Sequence, residues 1–143
     1  MNTCFSWALL IDRLLVGITF VLHGSQKVFG WFGGSGIEGF ANFCASLGFP
    51  KFLGYAAAFF EFFGGLMIAC GVIPEIAAAL LIPVMVVALI SVHAKNGFFI
   101  QNGGYEYALN LLVLLVVIII AGAGEFAVWD YFKQIRETIC IKK

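Results

Sequence analysis

Charged residues are scarce in this chain. Only 11% of its 143 residues are charged, 8 basic and 8 acidic, and the formal net charge is +0. Soluble domains carry about 25% charged residues. This shortage, with 62% hydrophobic residues and a mean hydropathy of +1.03, indicates a membrane protein whose main environment is the lipid bilayer. The basic residues form no run that could bind a phosphate backbone, so nucleic acid is excluded as a partner.

The chain also lacks the motifs that hold common redox cofactors. Its 4 cysteines form no C-x-x-C pair and no zinc or iron–sulfur spacing. A dinucleotide-binding glycine fingerprint is absent as well. We therefore expect no stand-alone enzyme, and at most a subunit of a quinone-linked oxidoreductase. His23, His93 and Glu106 are a conceivable metal set, but no local ligand motif supports one, and no metal site is predicted. The cofactor is unknown from sequence, and a quinone is possible.

Four long apolar stretches are present instead, at residues 7–29, 52–70, 76–93 and 107–123. About 20 apolar residues suffice for a helix to cross a bilayer. Because backbone groups in hydrocarbon must be paired internally, these stretches predict an all-α integral membrane protein, a four-helix bundle. No basic region precedes the first stretch and no cleavage pattern follows it, so we expect the first span to be retained.

The connection between the first two spans predicts a further, shorter helix. Glycines at 33, 34 and 36 break the first span, and apolar residues then recur at helical spacing through residues 37–47. Such an amphipathic segment is typical of a helix lying in the membrane interface. The whole chain is thus predicted as one four-span membrane domain, residues 1–130, and a short basic cytoplasmic tail, residues 131–143.

Basic residues near the span ends predict the orientation. An even number of spans places both termini on one side, together with the basic tail residues Lys133, Arg136, Lys142 and Lys143. Cytoplasmic loops are enriched in basic residues, so both termini are predicted to be cytoplasmic.

Polar residues collect at one depth of the predicted bundle. With this topology the outer half receives residues from several spans: His23, Lys27, His93, Glu106 and Tyr107. Trp31 and Phe98 lie in the adjoining outer segments and can wall a cavity. Ionisable residues inside a membrane are by default candidates for function, so we predict a ligand-binding pocket formed by these seven residues.

Two charges lie deeper, Arg13 and Glu61. On each helix the charge shares a face with glycines, Gly17 for the arginine and Gly64 and Gly65 for the glutamate, and small residues mark close helix contacts. A single charge in mid-bilayer costs at least about 2.5–3.5 kcal/mol. We therefore predict a buried Arg13–Glu61 charge pair with a mainly structural role.

An ordered series of motifs resembles the DoxX family of small bacterial inner-membrane proteins. The series begins with R-L-L-V-G from Arg13 and F-V-L-H-G-S-Q-K-V-F-G-W-F-G-G from Phe20. It continues with S-L-G-F-P from Ser46, E-F-F-G-G-L from Glu61, S-V-H from Ser91, N-G-F-F from Asn96 and N-G-G-Y-E-Y-A-L from Asn102. The resemblance covers residues 10–130, and the family's recurring polar positions correspond to Arg13, His23, Lys27, Glu61, His93, Glu106 and Tyr107.

The resemblance implies a four-helix protein of the bacterial inner membrane that takes part in membrane redox work. Relatives are associated with thiosulfate oxidation feeding quinone, with quinol-oxidase-like subunits, and with complexes of thiol and oxidative-stress enzymes. This chain departs from them after the second span, where it has Pro74-Glu75 in place of a basic residue.

Three functions stay open from sequence. The first is a membrane subunit of an oxidoreductase system that binds quinone, or a small redox-linked substrate, in the outer-half pocket. The second is a scaffold that anchors soluble redox or stress partners, for which the polar core would serve packing alone. The third is a small-molecule carrier, which four spans without repeats could form only as a homo-oligomer.

Overall fold

Helices make up all the regular structure that the computed structural model describes, which covers residues 3–128. The all-α class is therefore confirmed. The main helices are α1 (Thr3–Val28), α2 (Gly36–Ser46), α3 (Lys51–Cys70), α4 (Pro74–Ala88) and α5 (Glu106–Ala121). The predicted basic tail at residues 131–143 lies outside the described residues.

Three helices in this part of the chain are long and apolar enough to cross a membrane. They are α1 with 26 residues, α3 with 20, and the 23-residue segment Pro74–Asn96 that begins with α4. Membrane character is thereby confirmed. Helix α5 has 16 residues, about 24 Å at 1.5 Å per residue, which is short of the ~30 Å hydrocarbon core. The fourth span, and the interfacial position of α2, stay predictions.

Close packing of α1 against α3 organises the fold, and glycines permit it. A methyl group on Gly17 would come within 2.6 Å of the backbone nitrogen of Ala69, and one on Gly24 within 2.5 Å of the nitrogen of Phe62. The same holds for Gly65, whose methyl would lie 2.7 Å from the nitrogen of Val21. The two backbones therefore touch over several turns, as small residues on facing helices allow.

Apolar side chains fill the space between α1, α3, α4 and α5. Val16, Ile68, Leu81 and Leu115, one from each helix, are all 0% exposed. Other apolar residues point outward, and Ile120 of α5 is 80% exposed. Large apolar side chains on the outside fit contact with lipid, because acyl chains are as apolar as leucine.

The segment that follows α5 packs against the N-terminal half of α1. Arg13 is 1% exposed, and its guanidinium donates a hydrogen bond to the carbonyl of Phe126 at 3.2 Å. The Phe126 ring packs on Trp7 of α1 with 4.7 Å between ring centroids. Arg13 thus fastens this segment to α1, a structural role for the buried cation.

The α1–α3 contact makes one pair of glycine substitutions informative. Gly17→Ala should lower the free energy of unfolding by about 1–3 kcal/mol, because rigid backbone of α3 occupies the space of the new methyl group. Gly64→Ala should change it little: there the methyl meets only the flexible Leu81 side chain, at 3.3 Å, and alanine favours a helix. Melting temperatures in detergent measure both. Equal melting of the two variants would contradict the close contact.

Candidate functional site

A buried ion pair joins α1 to α3. Lys27, in the last turn of α1, places its Nζ 2.5 Å from both carboxylate oxygens of Glu61, in the middle of α3. The Glu61 side chain is 4% exposed and that of Lys27 25%. The ammonium also lies over the ring of Phe40 from α2, 4.7 Å from its centroid, a cation–π contact. Three helices therefore meet at this pair.

The predicted pairing of Arg13 with Glu61 is wrong. The Arg13 guanidinium lies beside Gly71, just past the C-terminal end of α3, where a methyl group would overlap it. Gly71 is ten residues beyond Glu61, about 15 Å along the helix. The antiparallel register of α1 and α3 decides the partner: Gly24 lies against Phe62, so the residue one turn further out, Lys27, reaches Glu61.

A cavity of about 500 Å³ begins at this ion pair. We call it the outer cavity, after its side in the predicted topology; α2, α3 and α4 enclose most of it. Its polar lining residues are Lys27, Cys44, Glu61 and His93. Its apolar walls come from the three helices and their connections: Phe40, Phe43, Leu47, Phe49, Leu53, Ala56, Ala57, Phe60, Leu80, Pro83, Val84, Val87, Ala88 and Val92. The site is thus a mostly apolar cavity to which α1, α2, α3 and the end of the α4 segment each contribute one polar residue.

His93 reaches this cavity through an irregular end of α4. The helix widens into a π turn, Leu89–His93, and such turns are frequent at functional sites. The Nδ1–H of His93 donates to the carbonyl of Gly103 at 2.8 Å, and the side-chain amide of Asn96 donates to the same oxygen at 3.1 Å. These bonds hold the outer loop, residues 94–105, against the helix end and orient the imidazole.

Lys27 and His93 are the predicted pocket residues that line the outer cavity; the other five lie elsewhere. His23 and Tyr107 pair with each other, with 3.4 Å between Nε2 and the hydroxyl oxygen. Glu106 accepts a hydrogen bond from the Ile100 backbone at 3.1 Å. Trp31 packs on Phe29, with ring centroids 4.8 Å apart, and Phe98 packs on Phe99 and Tyr105, at 5.5 Å each. The seven residues therefore do not all line the outer cavity, and ligand binding by the set stays a prediction.

Sequence reasoning missed the α2 wall of the cavity. Residues on one face of α2, Phe40, Phe43, Cys44 and Leu47, line it. Their helical spacing is visible in the sequence, but it predicts only a helix in the membrane interface and not the wall of a cavity. The sequence contains no signal for which neighbouring helices this face covers, because that depends on the direction of the connection through Gly48 and Pro50.

Cys44 carries the thiol on this wall. Burial raises its pKa above the ordinary value; the Lys27 ammonium lowers it in part, and the Glu61 carboxylate raises it further. A high pKa leaves little of the reactive thiolate at neutral pH. Within residues 3–128, no group of three metal-ligating side chains converges around a possible ion.

Comparisons with known proteins match the part of the chain that contains the cavity residues. The family model described as DoxX matches residues 8–94. A curated protein of Bacillus subtilis (strain 168), named "Putative oxidoreductase CatD", is 30% identical over 132 residues, which cover 92% of this chain and 91% of that protein. No solved structure matches the chain. Lys27, Cys44, Glu61 and His93 all fall inside the family match.

Separating the ion pair should be costly. Lys27→Met leaves the Glu61 carboxylate without its counterion in an apolar site and should lower the free energy of unfolding by about 3 kcal/mol. The double substitution Lys27→Met/Glu61→Leu should recover most of the loss, because no charge is then stranded. Thermal melting in detergent of Lys27→Met, of Glu61→Leu and of the double variant measures the coupling between the two residues. Additive losses in the double variant would contradict it.

The thiol of Cys44 should respond to the same lysine. Its alkylation by maleimide should be slower at pH 7.5 than that of an ordinary cysteine, and should still rise at pH values where an ordinary thiol has levelled off. Lys27→Met removes the charge that favours the thiolate, so the midpoint should move to higher pH. Lys51→Met, at the outer start of α3, is the matched control. A midpoint unmoved by Lys27→Met would contradict the assigned electrostatics.

Proposed function

The chain belongs to the DoxX family, and from this premise we propose that it is the membrane subunit of an oxidoreductase system and binds a quinone in the outer cavity. The observation that carries the proposal is the placement of an ion pair and a histidine on one otherwise apolar cavity. Two further findings support the oxidoreductase part: the family match and the name of the similar protein CatD.

The outer cavity fits the chemistry of a quinone head. Small-molecule sites are mostly apolar clefts of about 300–1,000 Å³ with a few placed polar groups, and this one holds about 500 Å³. Phe40, Phe43 and Phe60 offer flat apolar surface for a ring. Hydrogen-bond donors are needed opposite the two carbonyl oxygens of a quinone, and acceptors opposite the two hydroxyls of its reduced form.

Lys27 and His93 supply these groups. The Lys27 ammonium has three N–H donors, and Glu61 provides two acceptor oxygens, which leaves one N–H for a ligand carbonyl. The Nδ1–H of His93 is directed to Gly103, so Nε2 is the nitrogen that serves a ligand. Neutral imidazole accepts a hydroxyl proton at Nε2, and protonated imidazole donates to a carbonyl. One side chain can therefore bind both redox forms.

Glu61 is the group in this site that can hold a proton in transit. Its carboxylate lies in contact with the ammonium that would bind the ligand, so a proton leaving a hydroxyl of the reduced form has an acceptor within one hydrogen bond. Because the chain has no motif for an electron carrier, electrons must come from or go to a partner protein. A soluble redox protein is the partner class that fits, and association of several copies is compatible with it.

The proposal includes an arrangement in the bacterial inner membrane. Helix α5 completes the bundle as a fourth span. Because it is short, it must lie nearly parallel to the membrane normal. Helix α2 lies in the outer interface. Both termini are then cytoplasmic. The outer cavity is lined by residues 53–61 of α3 and by residues 80–93 of the segment that begins with α4, so in this arrangement it extends from the middle of the bilayer into the outer half.

Two histidines provide a matched test of quinone binding. His93→Ala should weaken binding of a tailed quinone about tenfold by removing one hydrogen bond to the ligand. His23→Ala should leave binding unchanged, because His23 pairs with Tyr107 and lies outside the cavity lining. Both residues are half-buried and close to the outer end of the molecule. Binding is measured by quinone retention after reconstitution, and thermal melting confirms that both variants fold.

Other outcomes point to other functions. If neither the parent protein nor the variants retain quinone, and both still recruit a soluble redox protein, the chain is a scaffold. Uptake of a solute into vesicles containing the protein would indicate a carrier.

A further inference from the structure

The outer cavity has a mouth, and its rim is apolar. Six residues that line the cavity are also widely exposed on the outside of the molecule. Five belong to α3 and α4: Leu53 (44%), Phe60 (42%), Leu80 (44%), Pro83 and Val87 (42%); the sixth is Phe43 (45%) on α2. A residue that both lines a cavity and faces outward marks the opening. The mouth therefore lies mainly in the cleft between α3 and α4, with Phe43 of α2 at its side.

This mouth lies at the depth of the hydrocarbon core. Helix α3 and the segment Pro74–Asn96 are both long and apolar enough to span a bilayer. The rim extends about 10 Å along α3 and a similar distance along α4, at 1.5 Å per residue. All six rim residues are apolar, so acyl chains, and not water, are the medium that meets them.

Apart from Phe43 at the rim, helix α2 covers the other approach. Phe40 and Cys44 line the cavity from this helix, and Leu47 and Phe49 line it from the connection that leads into α3. On the outer side His93 is bonded to Gly103 of the outer loop, which packs over the helix end. A ligand arriving from water would have to pass these aromatic and loop residues, whereas one arriving from lipid meets an open cleft.

We infer that the outer cavity opens sideways into the bilayer and receives from the lipid phase a ligand with a polar head and a long hydrocarbon tail. The head lies at the Lys27–Glu61 pair, and the tail leaves between Leu53, Phe60, Leu80 and Val87 into the acyl chains. That the head is a quinone rests on the function proposed above; the lateral opening does not. The substrate class is then a membrane quinone with an isoprenoid tail, in preference to a water-soluble quinone with the same head.

Cys44 can report on this access route because it lines the cavity. The parent for the test keeps Cys44 and replaces Cys4, Cys70 and Cys140 with serine. The matched control additionally replaces Cys44 with serine and introduces Asn42→Cys, an exposed position two residues earlier on α2 that does not line the cavity. Both proteins are reconstituted in vesicles and treated with lipid-soluble N-ethylmaleimide or with a sulfonated maleimide. For each thiol, the rate with the sulfonated maleimide is divided by the rate with N-ethylmaleimide. The intrinsic reactivity of the thiol cancels in this ratio.

The lateral opening predicts different ratios at the two positions. The sulfonate carries a charge that is excluded from the hydrocarbon, so its rate at Cys44, relative to N-ethylmaleimide, should be at least about tenfold lower than at Asn42→Cys. Equal ratios at the two thiols would mean that the cavity opens to water, and would overturn the inference whether or not quinone binds.

Protection by quinones separates the two proposals. A quinone with an isoprenoid tail should slow the reaction of Cys44 with N-ethylmaleimide, while the same head without a tail should protect at least about tenfold less at equal bulk concentration. Equal protection by both would overturn the preference for a tailed ligand. If neither quinone protects but the reagent ratios differ as predicted, the lateral opening stands and quinone binding fails.

Discussion

A carboxylate in the middle of a membrane-spanning helix is the constraint on which this structure depends. Glu61 lies in a segment that is otherwise apolar and is 3% exposed. Such a group is tolerated only with a cation and hydrogen-bond donors in direct contact. Lys27 provides both, and the ring of Phe40 lies against the ammonium. The relative positions of α1, α2 and α3 follow from this requirement.

The contact between α1 and α3 makes the ion pair possible. Gly17, Gly24 and Gly65 let the backbones touch, and the resulting antiparallel register carries Lys27 to Glu61 near the C-terminal end of α1 and Arg13 to Gly71 just past the C-terminal end of α3. The two cations of α1 therefore have separate tasks. Arg13 holds the segment after α5, and Lys27 both balances Glu61 and borders the outer cavity.

The cavity exists because α2 packs against α3 but does not fill the cleft between α3 and α4. Its walls are mostly apolar, and its few polar groups include an ion pair and a histidine, the combination on which the proposed quinone binding rests. The π turn before the outer loop has a clear consequence here, since it brings the His93 ring to the cavity while Gly103 orients it. A site of this kind suits a molecule that is itself mostly hydrocarbon.

Sequence alone determined the class of the protein and the identity of its polar residues. The lengths and apolarity of residues 7–29, 52–70 and 76–93 predicted spans at α1, α3 and α4, because bilayer thickness and backbone hydrogen bonding leave few alternatives. The burial of Arg13 and Glu61 was predictable from the glycines on their faces.

Tertiary structure alone decided which cation meets Glu61 and which residues share a cavity. The position of a residue along its span gives its depth in the membrane, but it does not give the helix that the residue faces. Helix register and the side of the bundle that α2 covers depend on backbone contacts between residues far apart in sequence, such as Gly24 with Phe62. Hydrophobic pattern does not encode these contacts.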